Sequence, residues 1–500
     1  VDPVVFKDAD SYAATLKKGG AVIASFAVRK AEVVKQLPAA AAKVGGGVKA
    51  IDDDALLDEV TALVERPNVL VCEFEKEFLN VPQECLILTM KANQKYFPLL
   101  EVSGKLSNKF LVVSNISPAD ASAVIQGNER VVRPRLADAK FFFDQDRKKT
   151  LASRVEGLGK VVYHNKLGTQ GARVERVRAI ARAIGQQLGG DVLAKKADQA
   201  AHLAKTDLVT DMVGEFPELQ GTMGRYYALN DGLSVDVADA IEDHYKPRFA
   251  GDTLPRNDVG VVVALADKLE TLVGMFGIGN LPTGDKDPFA LRRHALGVVR
   301  MLVERDSSLQ FHELTRAALS VFPIGLLQDQ RTALDAFLIE RLKGYLKDTG
   351  YSATEVDAAV YAQKLGSWFS IPKRLVAVRT FAALPEAPAL AAANKRISNI
   401  LKKGDAVDAH VSEVLLTEPL ELALHKAMGD VIPKANAQFE SGDYTASLQT
   451  LAALRAPVDD FFNGVMVNVE QLDLRLNRLG LLATLHAAMN RVADLSKLAS

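Results

Sequence analysis

Apolar positions along this chain switch between helical and strand spacing. From Val28 to Val44, Ala, Val and Leu recur at helical intervals among lysines, and Gly45-Gly46-Gly47 stops the run. Asp52–Val64 opens on acids and repeats its apolar residues three and four apart, a second helix signature. From Val69 the spacing shortens. Val69–Phe74, Glu84–Met90, Tyr96–Val102 and Phe110–Asn115 read as strands, with Ser103-Gly104-Lys105 as a turn between two of them. These elements predict a small α+β module with an antiparallel sheet. Ala119–Lys149 returns to helical spacing and is rich in cations. Gln170–Leu346 is almost continuously helical, interrupted at Phe216-Pro217, Tyr245–Pro255 and Ile278–Pro288. Ile371-Pro372 and Leu384–Pro388 mark a further boundary. Beyond it, Ala387–Lys403 is an Ala-rich helix that Gly404 ends, its lysines facing the negative end of the helix dipole. The rest, to Ser500, reads as a helical bundle. The expected fold is mainly α and multidomain, with modules at 1–150, 151–370 and 371–500.

A chain of 500 residues exceeds what one core supports, in keeping with several modules. Hydrophobic residues at 48% and charged ones at 25% are those of an ordinary globular protein. No apolar run approaches the ~20 residues a membrane-spanning helix needs, so no membrane partner is expected. Nothing resembles a secretory signal, and the chain opens on Val1 in mid-pattern, as a fragment or a processed chain would. Cys72 and Cys85 lie on apolar segments and read as buried free thiols of a reducing, cytoplasmic protein. A net charge of −1 makes the whole chain no magnet for nucleic acid, so any RNA binding must rest on local clusters.

Four stretches carry candidate chemistry. Asn128–Lys149 surrounds the trio Phe141-Phe142-Phe143 with Arg130, Arg133, Arg135, Lys140, Arg147, Lys148 and Lys149. Cations interleaved with aromatics suit RNA, whereas three adjacent phenylalanines on a helix also suit a core, and Glu129, Asp138, Asp144 and Asp146 dilute the field. In Leu281–Leu302, Asp287-Pro288 reads as a capping acid followed by Pro at the first helical position. Arg292, Arg293 and Arg300 project from that helix, as a salt-bridged face or a phosphate-contacting one. Asn394–Lys403 places Lys395, Arg396, Asn399 and Lys403 on one helix, and Arg475, Asn477 and Arg478 follow in Leu472–Leu482. Asn and Arg are suitable readers of exposed base edges.

The fourth stretch, His202–Ala228, resembles the helical core of His-Asp phosphohydrolases. Asp207 stands for the acid of the His-Asp pair, Asp267 for the distant acid and His164 for the lone histidine, but Thr206 replaces the paired His. His202, five residues before Asp207, is off the three- or four-residue spacing that shares a helix face. The set reads as a vestigial site with no metal.

Walker A, dinucleotide-binding, zinc and nucleophile-elbow motifs are absent, as are the motifs of a synthetase active site, so no residue is nominated as catalytic. Long ordered matches nevertheless identify a family. Met90–Leu99, Gly127–Lys149, His202–Ala228, Gly284–Leu302 and Ala391–Leu401 resemble the beta subunit of the heterotetrameric bacterial glycyl-tRNA synthetase. The resemblance implies a degenerate HD-type middle domain and a helical anticodon-binding (DALR-like) bundle similar to that of arginyl-tRNA synthetases. It implies partners, an alpha subunit in an α2β2 assembly and glycine tRNA. No cofactor is expected on this chain, since ATP with Mg is used through the alpha subunit. Family members also carry further residues before the point matching Val1. The alternatives are an HD-type metal-dependent nucleotide phosphohydrolase built on His164, Asp207 and Asp267, and a non-catalytic assembly scaffold.

Overall fold

A computed structural model describes residues 3–305, 308–362, 366–403 and 408–499, so the stop expected at Gly404 lies outside the described residues. The fold is mainly α, and its contacts group into two compact units. One takes the chain up to Val161 together with Leu203–Glu242; the other takes Val162–His202 together with Asp243 onward. These units do not follow the sequential divisions at 150 and 370.

The first unit is built on a four-stranded antiparallel sheet of β1 (Lys49–Ala50), β2 (Asn68–Glu73), β3 (Phe97–Leu100) and β4 (Leu106–Ser114), in the order β1-β3-β4-β2. Val69 pairs with Val113 and Val71 with Leu111; Cys72, on the other face, pairs with Phe110. Helices Phe26–Val44 and Asp54–Leu63 cover one face through Val33, Leu37, Leu57 and Val60 against Phe97, Leu99 and Leu111. On the opposite face Tyr96 stacks on Phe110 and donates from its hydroxyl to Asn128 of helix Ser122–Asp146. Burial on both faces explains why the strands read as nearly unbroken apolar runs. Ser25 caps helix Phe26–Val44, and Gly45, Gly46 and Gly47 end it at φ 81°, 66° and 71°, a backbone region that side chains disfavour.

Glu84–Met90 is not a strand but part of helix Gln83–Gln94. Its buried residues, Cys85, Leu86, Thr89 and Met90, recur at one-turn spacing, which a short apolar run does not reveal on its own. Both cysteines are free and buried, and burial pushes each thiol up to about 12.

Leu203–Glu242 joins this unit through Asp146, which sequence reading treats only as a diluting acid. Its buried carboxylate accepts from the Asp211 and Met212 amides at 2.9 Å each and from the Tyr227 hydroxyl at 2.8 Å, and it pairs with Arg154 at 3.2 Å. It thereby satisfies the open N–H groups at the start of helix Asp211–Glu215.

In the second unit, helix Asp258–Gly277 is buried along almost its whole length. The segment Gln170–Leu203 is not one continuous helix. Gly189 and Gly190 leave helical geometry, Gly190 at φ 63°, and Arg178 and Arg182 pair with Asp198 across the break, which folds it as a helical hairpin. Ile371-Pro372 opens helix Ile371–Ala382, since Pro at the first turn costs no hydrogen bond. The single tryptophan, Trp368, is buried against Phe311 at 4.5 Å. Helices Ile371–Ala382, Ala387–Lys403, Pro419–Glu440, Tyr444–Leu451, Arg455–Gly464 and Leu472–Met489 then share one core, including Phe381, Leu390, Leu424, Leu448, Phe461 and Leu482. Among the described residues no single helix is long and apolar enough to cross a membrane.

Candidate nucleic-acid interface

Helix Ala387–Lys403 buries Leu390, Ala391, Ala393, Asn394 and Ile397. Its inner face is fixed by polar contacts as well: Asn394 and Asn490 exchange amide hydrogen bonds at 2.8 and 3.1 Å, and Ser398 Oγ lies 2.7 Å from His486 Nε2. Burial holds the His486 imidazole below its ordinary pKa. With the inner face locked, helical spacing turns Lys395, Arg396, Asn399, Lys402 and Lys403 to solvent. The helix carries these four cations and no carboxylate. Among the described residues, no carboxylate pairs with Lys395, Arg396 or Lys403. A cleft of about 430 Å³ opens here, lined by Ala392, Lys395, Arg396, Asn399, Ile400, Lys403 and Asn468. Asn468 comes from the loop before helix Leu472–Met489, and sequence reading missed it.

The other C-terminal candidates do not join this face. Arg478 is buried at 4% exposure, paired with Glu421 and donating to the Met466 carbonyl at 2.7 Å. Asn477 is buried and exchanges hydrogen bonds with the Ser412 backbone. Arg475 turns to the Val469 carbonyl at 3.3 Å. Asn477 and Arg478 are thereby taken up in the interior of the bundle, while Arg475 stays half-buried at its edge. The reason is that helix Leu472–Met489 is enclosed by its neighbours around most of its circumference.

On helix Ser122–Asp146, Arg130, Arg133 and Arg135 are exposed, as are Lys148 and Lys149 just beyond it. Arg133 pairs with Glu75 at 2.5 Å, and Lys148 donates to Gln145 at 2.9 Å. The phenylalanine trio divides: Phe143 is buried against Tyr227, while Phe141 is 57% exposed. Neither an all-core nor an all-surface reading holds for it.

Helix Leu291–Glu304 begins three residues after Pro288. Asp287 does cap it, accepting from the Leu291 and Arg292 amides at 2.8 and 2.9 Å, but Ala290 bends into a left-handed turn first. Arg293 is exposed, and Arg292 donates to the Gly284 carbonyl at 2.6 Å. Arg300 is engaged by Glu304 and by the Ala250 and Asp252 carbonyls, so the salt-bridged reading holds for it.

Of the HD-like set, Asp207 lies in the first unit and His164 and Asp267 in the second, and each is engaged within its own. Asp207 is fully buried in the first unit, where one carboxylate oxygen accepts from the Gly221 amide at 2.5 Å and the Gly224 amide at 3.1 Å. Burial raises its pKa to about 6. In the second unit Asp267 pairs with Arg173 at 3.1 Å. Arg173 also binds Glu270 at 2.9 Å and Thr271 at 2.7 Å, and Arg176 binds Glu270 at 2.8 Å. A guanidinium thus stands against Asp267 where a hydrolase would need a metal. The signal was present in the sequence: Arg173 and Arg176 are three apart, as are Asp267 and Glu270, so two one-turn pairs can mesh. His164 accepts from the Lys166 amide at 3.2 Å and meets Asn280 at 3.3 Å. Among the described residues, no group of three or more His, Cys, Asp and Glu is placed to hold a metal ion.

Comparison with known proteins gives these features a context. The family described as "Glycyl-tRNA synthetase beta subunit" matches residues 1–361, and the "DALR anticodon binding domain" matches residues 390–495, which include the exposed cationic helix face. The chain is 75% identical over 499 residues to the glycine–tRNA ligase beta subunit of Polaromonas naphthalenivorans, matching 100% of this chain and 70% of that protein. It is 72% identical over 503 residues to the subunit so named from Delftia acidovorans, with 100% and 71% covered. For Dechloromonas aromatica the identity is 68% over 508 residues, with the same coverage of 100% and 71%. On this evidence the chain belongs to the glycyl-tRNA synthetase beta subunit family.

Proposed function

We propose that this chain holds tRNA for glycine–tRNA ligation in an α2β2 assembly whose alpha subunit carries out the ATP- and Mg-dependent chemistry in the cytoplasm. The observation that carries the reading is the outer face of helix Ala387–Lys403: four cations, no carboxylate, and a cleft into which two side-chain amides open. An anticodon loop offers splayed bases and closely spaced phosphates, and this face is chemically complementary to both. Arg130, Arg133, Arg135, Lys148 and Lys149, with Arg292 and Arg293, would supply further backbone contacts. The HD-like middle region, residues 151–370, would support the acceptor end. The catalytic contribution is positional: a tRNA held against a remote active site meets the activated amino acid at a reduced entropic cost.

Two measurements test this. Glycylation by the alpha subunit with glycine tRNA should depend on the full-length beta chain; charging that is equally fast without it refutes the reading. Affinity for the tRNA should fall steeply with salt, and Lys403→Ala should lower the slope of log K against log salt by about 1. An unchanged slope and affinity would remove Lys403 from the interface.

A further inference from the structure

The cleft holds a feature that attraction to phosphate alone does not require. Arg396 lies over the Phe462 ring, its guanidinium carbon 4.3 Å from the centroid. Other arginines in this bundle are stacked too, but each has a polar partner: Arg491 over Phe439 pairs with Glu440, and Arg374 over Tyr444 donates to the Val492 carbonyl. Among the described residues Arg396 has the ring and no carboxylate or carbonyl. Phe462 is half-buried and packed on the core, so it is a fixed support. A guanidinium supported on one side by an aromatic ring has its other planar face available, and that face is weakly hydrated and stacks well on nucleobases.

Asn399 and Asn468 open into the same space, and among the described residues neither amide has a hydrogen-bond partner. Neutral amides add little to phosphate binding, but each offers a carbonyl acceptor and two N–H donors suited to a base edge. Lys395 and Lys403 belong to the same lining. At about 430 Å³ the cleft is near the small end of the roughly 300–1,000 Å³ typical of ligand sites, a size for one nucleotide rather than a run of them.

Building on the tRNA-holding reading above, we infer that this cleft is a slot for a single unstacked nucleobase of the bound loop. The base continues a Phe462–Arg396–base stack, Asn399 and Asn468 read its edge, and Lys395 and Lys403 hold the adjoining phosphates. Arg396 and the two asparagines are therefore specificity-determining residues, and Phe462 is a positioning residue acting through Arg396.

The test uses the full chain and an anticodon stem–loop RNA carrying the fluorescent base 2-aminopurine at one loop position at a time. Binding should quench the fluorescence strongly at one position. Arg396→Lys keeps the charge but loses the planar face. It should abolish that quench and weaken binding by roughly 5- to 150-fold, the range for losing one stacked base, with the salt slope unchanged. Phe462→Leu should behave alike and Phe462→Tyr should restore the quench, which a purely structural role of the ring does not predict. Asn468→Asp, which removes the donors, should change the order of preference among the four bases at that position. If the RNA binds with salt-dependent affinity but no position is quenched, or Arg396→Lys keeps the quench, the slot is wrong while tRNA holding stands. If the unaltered chain binds neither the stem–loop nor whole tRNA, the tRNA-holding reading falls with it.

Discussion

Replacing Arg478 with alanine separates the sequence expectation from the structural one. Read from sequence, Arg478 is a surface cation for RNA, and its loss should weaken RNA binding while sparing the fold. In the structure its side chain is 5% exposed and that of its partner Glu421 is 0% exposed. Removing the guanidinium leaves a buried carboxylate and an unmet Met466 carbonyl. Breaking a buried ion pair from one side costs about 3–5 kcal/mol. Glu421 also accepts from the Thr417 and Glu418 amides at 2.9 and 3.0 Å, which soften the loss and place it near the low end, at ~3 kcal/mol. For a unit of this size that is a drop of on the order of 10 °C in the melting temperature of the C-terminal bundle. Thermal unfolding followed by circular dichroism reads the shift, and filter binding below the transition reads RNA affinity. A double variant, Arg478→Met with Glu421→Leu, should recover most of the stability, since a buried pair replaced by apolar residues of similar volume is often neutral. The reasoning is refuted if Arg478→Ala melts with the parent and its RNA affinity and salt slope both fall.

Asp207 gives a pH signature. Its native pKa of about 6 lies above the ordinary value of 3.8, so its protonated form is favoured by folding. The stability from this group is fully present below 3.8 and is lost as pH rises through 6. Asp207→Asn removes the titration. Denaturant unfolding at pH 4 and pH 7.5 should show the parent losing on the order of 3 kcal/mol relative to the variant over that interval, and parallel profiles would show that the carboxyl does not titrate in this range. In the helical hairpin, a Cβ at Gly185 would stand 2.8 Å from the Ala194 backbone. Gly185→Ala should therefore destabilise the second unit by about 1–3 kcal/mol despite its gain in helix propensity, and a variant with raised stability would contradict the close approach.

The elements carried by a long periodic pattern were legible without coordinates. Phe26–Val44, Asp54–Leu63 and Ser122–Asp146 end close to where their apolar spacing and terminating glycines or charges place them, and Ala387–Lys403 starts where its pattern does. So was the cationic face of Ala387–Lys403, because spacing of three, four and seven residues puts side chains on one side of a helix whatever surrounds it. Pattern within a segment does not say what the facing segment brings. Glu84–Met90 has too few residues to separate strand from helix, and packing decided it. Arg396 and Arg478 look alike in sequence, yet Arg478 meets Glu421, 57 residues earlier, and is buried, while Arg396 meets Phe462 and is left open to solvent. Asp146 becomes a hub only because amides 65 and 66 residues later converge on it, and Asp207 is engaged by the Gly221 amide, 14 residues later, which no motif anticipates. Local spacing fixes which residues share a face; burial and hydrogen-bond satisfaction, which depend on distant partners, decide whether that face is core, ion pair or binding surface.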